Sequence, residues 1–118
     1  PYIVPLCFGY INNTLYFHSA VRGKKIDILR NNPRVCFEFD SDSEIQSGET
    51  ACKYGMRYRS VIGFGTAVII ENPNDKRHAL DVIMANYTDG HSTYTDEGIR
   101  KTAVIRVDID ALTGKSSL

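Results

Sequence analysis

The longest extended run of the chain, Met56 to Ile70 (MRYRSVIGFGTAVII), most constrains how it can fold. Its β-branched and aromatic side chains predict one long strand. Gly63 and Gly65 interrupt the run, and glycines inside a strand are typical of a bulge or bend where a sheet curves tightly. A long strand of this kind favours a mainly β, antiparallel barrel over an open sheet built from parallel βαβ units.

Other segments predict further strands around this one. Residues 2–10 and 14–18 are rich in Tyr, Ile, Leu and Phe and are separated by Asn12-Asn13, which predicts a hairpin because Asn tolerates positive φ. Residues 34–40 and 102–112 alternate between apolar and polar side chains, as half-buried strands do.

Two helices interrupt the strands. The first covers residues 22–32 and ends at Pro33, and the second covers residues 75–87. The second helix places five apolar side chains on one face: Ala79, Leu80, Ile83, Met84 and Tyr87. A short helix is predicted to start at Asp96. We expect the polar segment 41–54 to be a long excursion and the tail 113–118 to have no regular structure.

Length and charge exclude several classes of protein. A chain of 118 residues predicts a single domain, 1–118. Fourteen basic residues balance fourteen acidic ones, whereas a nucleic-acid-binding protein usually has a basic excess, so we expect no nucleic-acid partner. The sequence contains neither an apolar run of about 18 residues nor a secretory signal, so we expect no membrane span.

The three cysteines predict no disulfide framework and no metal site. Cys7 and Cys36 sit in apolar strand patterns, so we expect both to be buried as small hydrophobic residues. The sequence has no CxxC motif, and its histidines (His18, His78 and His91) are scattered. This cysteine usage is typical of a reducing cytoplasm.

The segment Leu15 to Ile28 (LYFHSAVRGKKIDI) carries the strongest functional signal. An aromatic strand leads into His18-Ser19-Ala20, and Arg22, Gly23, Lys24 and Lys25 follow where a helix is predicted to begin. A glycine allows close backbone approach, N–H groups at a helix start point at an anion, and cations add charge. The segment therefore predicts a phosphate site, with a solvated basic turn as the alternative.

Three segments together resemble the pyridoxamine-phosphate-oxidase-like FMN-binding split-barrel family, and most closely its nitroimidazole-resistance (Nim) branch. They are PYIVPLCFGY, LYFHSAVRGKKIDILRNNPRVCFE and CKYGMRYRSVIGFGTA. The resemblance implies a six-stranded antiparallel split barrel that forms a homodimer, with FMN at the dimer interface. Family members usually begin with a helix and a strand before the PYIVP segment. Neither is present here, and we expect that both belong to the full-length protein.

The resemblance also implies roles for individual residues. Val4, Pro5 and Leu6 would line the flavin ring with backbone groups, while Phe17, His18 and Ser19 would lie beside the ribityl chain and phosphate. Lys24 and Lys25 would bind the phosphate, and Arg59 and Ser60 would approach the flavin from the partner subunit. In the Nim branch the histidine of the FHSA motif is tied to substrate reduction, so His18 is the candidate catalytic residue. The alternative is a strand-end histidine that holds a loop.

Three functional hypotheses follow. The first is an FMN-dependent reductase of nitroaromatic or related small compounds. The second is a flavin-binding or sensor module without turnover, and the third is a β-barrel interaction protein without a cofactor. The sequence leaves open the physiological substrate, the electron donor, and whether the cofactor is FMN or a related flavin or deazaflavin. It also leaves open whether Arg57 and Arg59, on one side of a strand, form a solvated or interface surface or bind an anion.

Overall fold

The computed structural model describes residues 1–89 and 92–117, so His91 lies outside the described residues. These residues form five strands, three α-helices and one 3-10 helix. In chain order they are β1 (Phe8–Ile11), β2 (Thr14–Ala20), α1 (Lys24–Asn31), β3 (Arg34–Gln46), the 3-10 helix (Ala51–Lys53), β4 (Gly55–Ile70), α2 (Pro73–Ala85), α3 (Asp96–Arg100) and β5 (Thr102–Ser117). The described part of the chain holds no helix long and apolar enough to cross a membrane.

The strands follow one another across a single sheet in the order β1-β2-β5-β4-β3. β2 pairs antiparallel with both β1 and β5. The prediction of a mainly β, antiparallel protein is confirmed, although the described residues form five strands and not the expected six.

The chain divides into two compact units. The first unit comprises Pro1–Val35 and Gly65–Ile109, and the second comprises Cys36–Phe64 and Asp110–Leu118.

The core of the first unit forms where α2 packs on the sheet. Its buried side chains come from β4, α2, α3 and β5, and they are Ile70, Ala79, Leu80, Ile83, Ile99 and Val104. The partly buried Tyr16 and Tyr94 pack against this cluster. The Asn72 side chain caps α2 by accepting hydrogen bonds from the N–H groups of Asn74 and Asp75. The predicted apolar face is thus confirmed for Ala79, Leu80 and Ile83.

Tyr87 does not belong to this buried face, although the sequence pattern placed it there. It lies beyond the end of α2 and is exposed. Its hydroxyl accepts a hydrogen bond of 3.1 Å from the N–H group of Phe8, and the Asn86 side chain donates to the Phe8 carbonyl at 3.2 Å. The residues just after α2 therefore anchor the start of β1.

A buried lysine connects α2 to the elements that follow it. Lys76 is only 8% exposed, and its ammonium donates hydrogen bonds to the carbonyls of Ile99 and Thr102 at 3.1 and 3.0 Å. These bonds satisfy backbone oxygens at the junction of α3 and β5, where an unpaired acceptor would be costly. Lys76 thereby fixes the point at which β5 begins.

The predicted hairpin is present, but its first strand is shorter than residues 2–10. The turn residues Asn12 and Asn13 have φ of 49° and 61°, as the Asn-Asn pair predicted. β1 starts only at Phe8, since the two prolines at positions 1 and 5 cannot donate ladder hydrogen bonds.

In the second unit, β3 continues through residues predicted to be a polar excursion. Its half-buried alternation at Phe37 and Phe39 agrees with the sequence, and their rings lie 5.8 Å apart. Beyond Asp40 every residue of the strand is exposed, so no apolar alternation marks it as a strand. β5 likewise continues through residues 113–117, where we expected no structure, and its last eight residues are exposed.

The structure gives a packing reason for Gly63, where a bulge or bend was expected. A Cβ atom on Gly63 would overlap the ring of Phe37 and lie 2.8 Å from the Leu112 side chain. Close packing inside the second unit therefore requires this glycine.

The prediction that Cys7 and Cys36 are buried is wrong. Both are exposed free thiols, as is Cys52. Cys7 precedes β1, and Cys36 alternates with the half-buried side chains of β3, so it lies on the opposite, exposed face of that strand.

We predict that Gly9→Ala destabilises the protein, because β1 approaches the backbone of α2 at this residue. An added Cβ would lie 2.6 Å from the Ile83 nitrogen and 2.7 Å from the Val82 carbonyl oxygen. Overpacking of this kind costs about 1–3 kcal/mol. Urea unfolding should show a lower midpoint for Gly9→Ala than for the wild type.

Gly55→Ala is the matched control, since a Cβ at Gly55 meets nothing within 4 Å. Its unfolding midpoint should equal or exceed that of the wild type. Equal midpoints for Gly9→Ala and Gly55→Ala would contradict the close approach of β1 and α2.

Candidate functional site

The corner between β2 and α1 has the backbone features of an anion site. Gly23 is the N-cap residue of α1 and has φ of 140° and ψ of 171°, a region that is essentially restricted to glycine. Gly23 has no side chain that could cap this helix start. The N–H groups of the first turn of a helix have no partner within the helix, and together with the helix dipole they favour a bound anion.

Three cationic residues flank this helix start in the chain. Arg22 and Lys24 are exposed, and Lys25 is half-buried. The Lys24 ammonium lies 5.1 Å from the centroid of the Tyr2 ring, within the range of a cation–π contact. This contact brings the N-terminal segment to the start of α1.

The N-terminal segment also contains the three residues predicted to line the flavin ring. Val4 and Leu6 are half-buried and Pro5 is exposed. They precede β1 in a stretch without regular secondary structure, which leaves their backbone groups outside the sheet ladder.

The last residues of β2 point to alternate faces of the sheet. In the pairing with β5, Phe17 lies opposite Ile105, His18 opposite Val104 and Ser19 opposite Ala103. Since successive side chains of a strand alternate, Phe17 and Ser19 share one face and His18 lies on the other, together with Tyr16. All three are half-buried, and the Ser19 hydroxyl donates to the Ala20 carbonyl at 2.9 Å. The three residues therefore do not form one continuous surface.

Arg59 and Ser60 lie in the second unit, on β4. The Arg59 guanidinium is 3.7 Å from the carboxylate of Asp42, and both side chains are more than half exposed. An ion pair so exposed contributes little to stability, so Arg59 can exchange Asp42 for another anion at little cost. Ser60 is half-buried.

A further cation, Lys115, lies beside Tyr58 of β4, and the sequence did not indicate it as a site residue. A hydrogen bond to the Tyr58 hydroxyl raises the pKa of Lys115, and its ammonium lies 5.7 Å from the centroid of the Tyr58 ring. Lys115 belongs to the tail for which no strand was expected, so nothing in the sequence pattern placed it near Tyr58. In the residues that the structure describes, no group of three or more His, Cys, Asp and Glu side chains could hold a metal ion.

Comparison with known proteins identifies the family. A family model described as pyridoxamine 5'-phosphate oxidase matches residues 1–116. The chain belongs to the pyridoxamine 5'-phosphate oxidase family. This membership confirms the resemblance read from the three sequence segments.

Among solved structures, this family member is similar to a candidate 5-nitroimidazole antibiotic resistance protein from Bacteroides thetaiotaomicron. The two share 41% identity with a TM-score of 0.85, and the match covers 97% of this chain and 68% of the other. No curated protein sequence matches the chain.

Two more distant structures share the fold. The flavocytochrome Anf3 from Azotobacter vinelandii has 20% identity and a TM-score of 0.86, with 100% of this chain and 56% of that protein covered. The FAD and haem binding protein from Mycobacterium smegmatis has 21% identity and a TM-score of 0.83, with 97% of this chain and 58% of that protein covered. This pyridoxamine 5'-phosphate oxidase family chain thus spans little more than half the length of either.

We predict that Gly23→Ala destabilises the β2–α1 corner through backbone strain alone. A Cβ at this position meets nothing within 4 Å, so there is no steric overlap to relieve. Holding a non-glycine residue in such a conformation costs about 1–3 kcal/mol. Urea unfolding should show a lower midpoint for Gly23→Ala than for Gly55→Ala.

Gly23→Asn should be as unstable as Gly23→Ala, because the observed φ and ψ lie outside the left-handed helical region that Asn tolerates. A wild-type midpoint in either variant would show that the corner has another backbone conformation.

Proposed function

We propose that the chain binds FMN and, as a homodimer, acts as a flavin-dependent reductase of nitroaromatic, nitroimidazole-like compounds. The observation that carries the proposal is the start of α1, where the N-cap Gly23 has a glycine-only conformation and no side chain to act as a cap, and where Lys24 and Lys25 follow immediately. Backbone N–H groups and two ammonium groups in one turn match the charge of a phosphate dianion.

The residues of this corner fit the phosphate end of a flavin nucleotide. Lys24 and Lys25 supply charge, and Ser19 lies near the end of β2, the strand that precedes them. When bound, the flavin supplies the electron transfer, so that the protein has to bind, orient and shield it. Backbone groups of Val4, Pro5 and Leu6 would contact the ring.

The side chains of β2 point alternately to opposite faces of the sheet, which supports separate roles for Ser19 and His18. Because these side chains point to opposite faces, Ser19 is suited to the phosphate and His18 to a different part of the site. An imidazole there would donate a hydrogen bond or a proton to the nitro group as it is reduced. His18 is thus our candidate catalytic residue.

One further point supports the substrate class, and the homodimer rests on the family resemblance. The 41% identical relative is a candidate 5-nitroimidazole antibiotic resistance protein, which favours a nitroimidazole-like substrate. Arg59 and Ser60 lie in a different unit from the other proposed site residues. In the proposed homodimer, this segment of one protomer approaches the flavin held by its partner, and the weakly paired Arg59 is available for an anion.

Lys24→Gln combined with Lys25→Gln tests the phosphate assignment. Each charge-assisted hydrogen bond is worth about 1.5–3 kcal/mol, so the double variant should bind FMN at least tenfold more weakly than the wild type. Glutamine keeps most of each side-chain stem, which limits the loss of packing. Flavin fluorescence titration measures the dissociation constant.

The matched control is Arg100→Gln with Lys101→Gln, which removes the same formal charge at exposed positions of the first unit. Its FMN affinity should remain that of the wild type. An FMN affinity that the Lys24 and Lys25 substitutions leave unchanged would refute the phosphate assignment. The same titration with FAD and with a deazaflavin determines which nucleotide the chain prefers.

His18→Ala should retain FMN binding and lose nitro reduction. The assay is anaerobic mixing of the FMN-loaded protein with NAD(P)H and a nitroimidazole, followed by the decay of the nitro absorbance. His78→Ala is the control, since His78 is an exposed histidine on α2. Equal rates in His18→Ala and His78→Ala would reduce His18 to a structural role.

The same assay, run with chemically reduced FMN in place of NAD(P)H, separates the reductase from the alternative of a flavin-binding module without turnover. Wild-type protein that binds FMN tightly but leaves the nitro absorbance unchanged with a chemically reduced flavin would favour the module.

A further inference from the structure

Lys24 has a specific aromatic contact that its place in the sequence does not suggest. Its ammonium lies over the ring of Tyr2, 5.1 Å from the centroid. Tyr2 is 45% exposed, so the ring is partly shielded from solvent while one part remains open. The contact joins the first residue of α1 to the segment that precedes β1.

The segment that carries Tyr2 is held in place at its other end. The N–H group of Phe8 donates to the Tyr87 hydroxyl, and the Phe8 carbonyl accepts from the Asn86 side chain. Five residues separate this anchor from Tyr2, and the contact with Lys24 holds the segment near its start. The Tyr2 ring therefore has a fixed position beside the Lys24 ammonium.

A lysine on a flexible stem loses much rotamer entropy when it binds a phosphate. An aromatic face that already holds the ammonium near the helix start removes part of that loss before the ligand arrives. The ring attracts the cation by its quadrupole without neutralising its charge, unlike a carboxylate. The full charge thus remains for an anion.

We propose that Tyr2 is a positioning residue that holds the Lys24 ammonium at the start of α1 for a ligand phosphate. The inference rests on the proposed function, in that the anion at this corner is the phosphate of FMN. It gives a role to Tyr2, a residue to which the family resemblance assigned none. Tyr2 acts through Lys24, so its effect is confined to ligands that carry a phosphate.

Riboflavin, which is FMN without the phosphate, is the comparison ligand for the test. Dissociation constants for FMN and riboflavin are measured on the wild type, Tyr2→Leu, Tyr2→Phe and the control Tyr10→Leu, an exposed tyrosine on β1. Tyr2→Leu should weaken FMN binding about two- to fivefold, the range of an exposed cation–π contact, and leave riboflavin binding unchanged. Tyr2→Phe keeps the ring and should bind FMN as the wild type does, as should Tyr10→Leu.

The same titrations in a Lys24→Gln background complete the cycle. Tyr2→Leu should then have no effect on FMN binding, because the cation it positions is gone. Equal weakening of FMN and riboflavin, an unchanged FMN affinity, or an undiminished effect of Tyr2→Leu in the Lys24→Gln background would each overturn the inference while leaving the proposed function intact. A wild type that binds FMN no more tightly than riboflavin would overturn the phosphate assignment and the role of Tyr2 together.

Discussion

The packing of α2 on the sheet is the contact on which the rest of the first unit depends. It buries Ala79 and Ile83 completely against Val104 of β5, and it brings the helix backbone so close to β1 that only glycine fits at position 9. Lys76 then fixes the start of β5 through two carbonyls. Since β2 pairs with both β1 and β5, this packing also determines where β2 ends and where the proposed phosphate corner lies.

The parts of the fold that the sequence predicted well are those with a local signal. Asn12-Asn13 marked the hairpin turn, the apolar stripe marked α2, and the long run before Ile70 marked β4. The parts that it missed are strands whose side chains face solvent on both sides. The ends of β3 and β5 are exposed throughout, so neither shows the alternation that identifies a half-buried strand.

The candidate site shows the same division between local and long-range information. Gly23, Lys24 and Lys25 are consecutive, so the helix start that they form could be inferred from the sequence alone. The Tyr2–Lys24 and Tyr58–Lys115 contacts join residues far apart in the chain and depend on the fold. The opposite orientation of His18 and Ser19 requires β2 to continue to Ala20, whereas the sequence predicted a strand that ends at residue 18.

The position of β3 at one end of the strand order has a consequence for solubility. A strand at the end of a sheet can pair with another chain, which promotes aggregation. β3 carries four carboxylates, Glu38, Asp40, Asp42 and Glu44, and the pKa of Glu38 is raised by partial desolvation and by repulsion from Asp40. Two copies of such a strand would bring like charges together, so these carboxylates protect the sheet edge from association with itself.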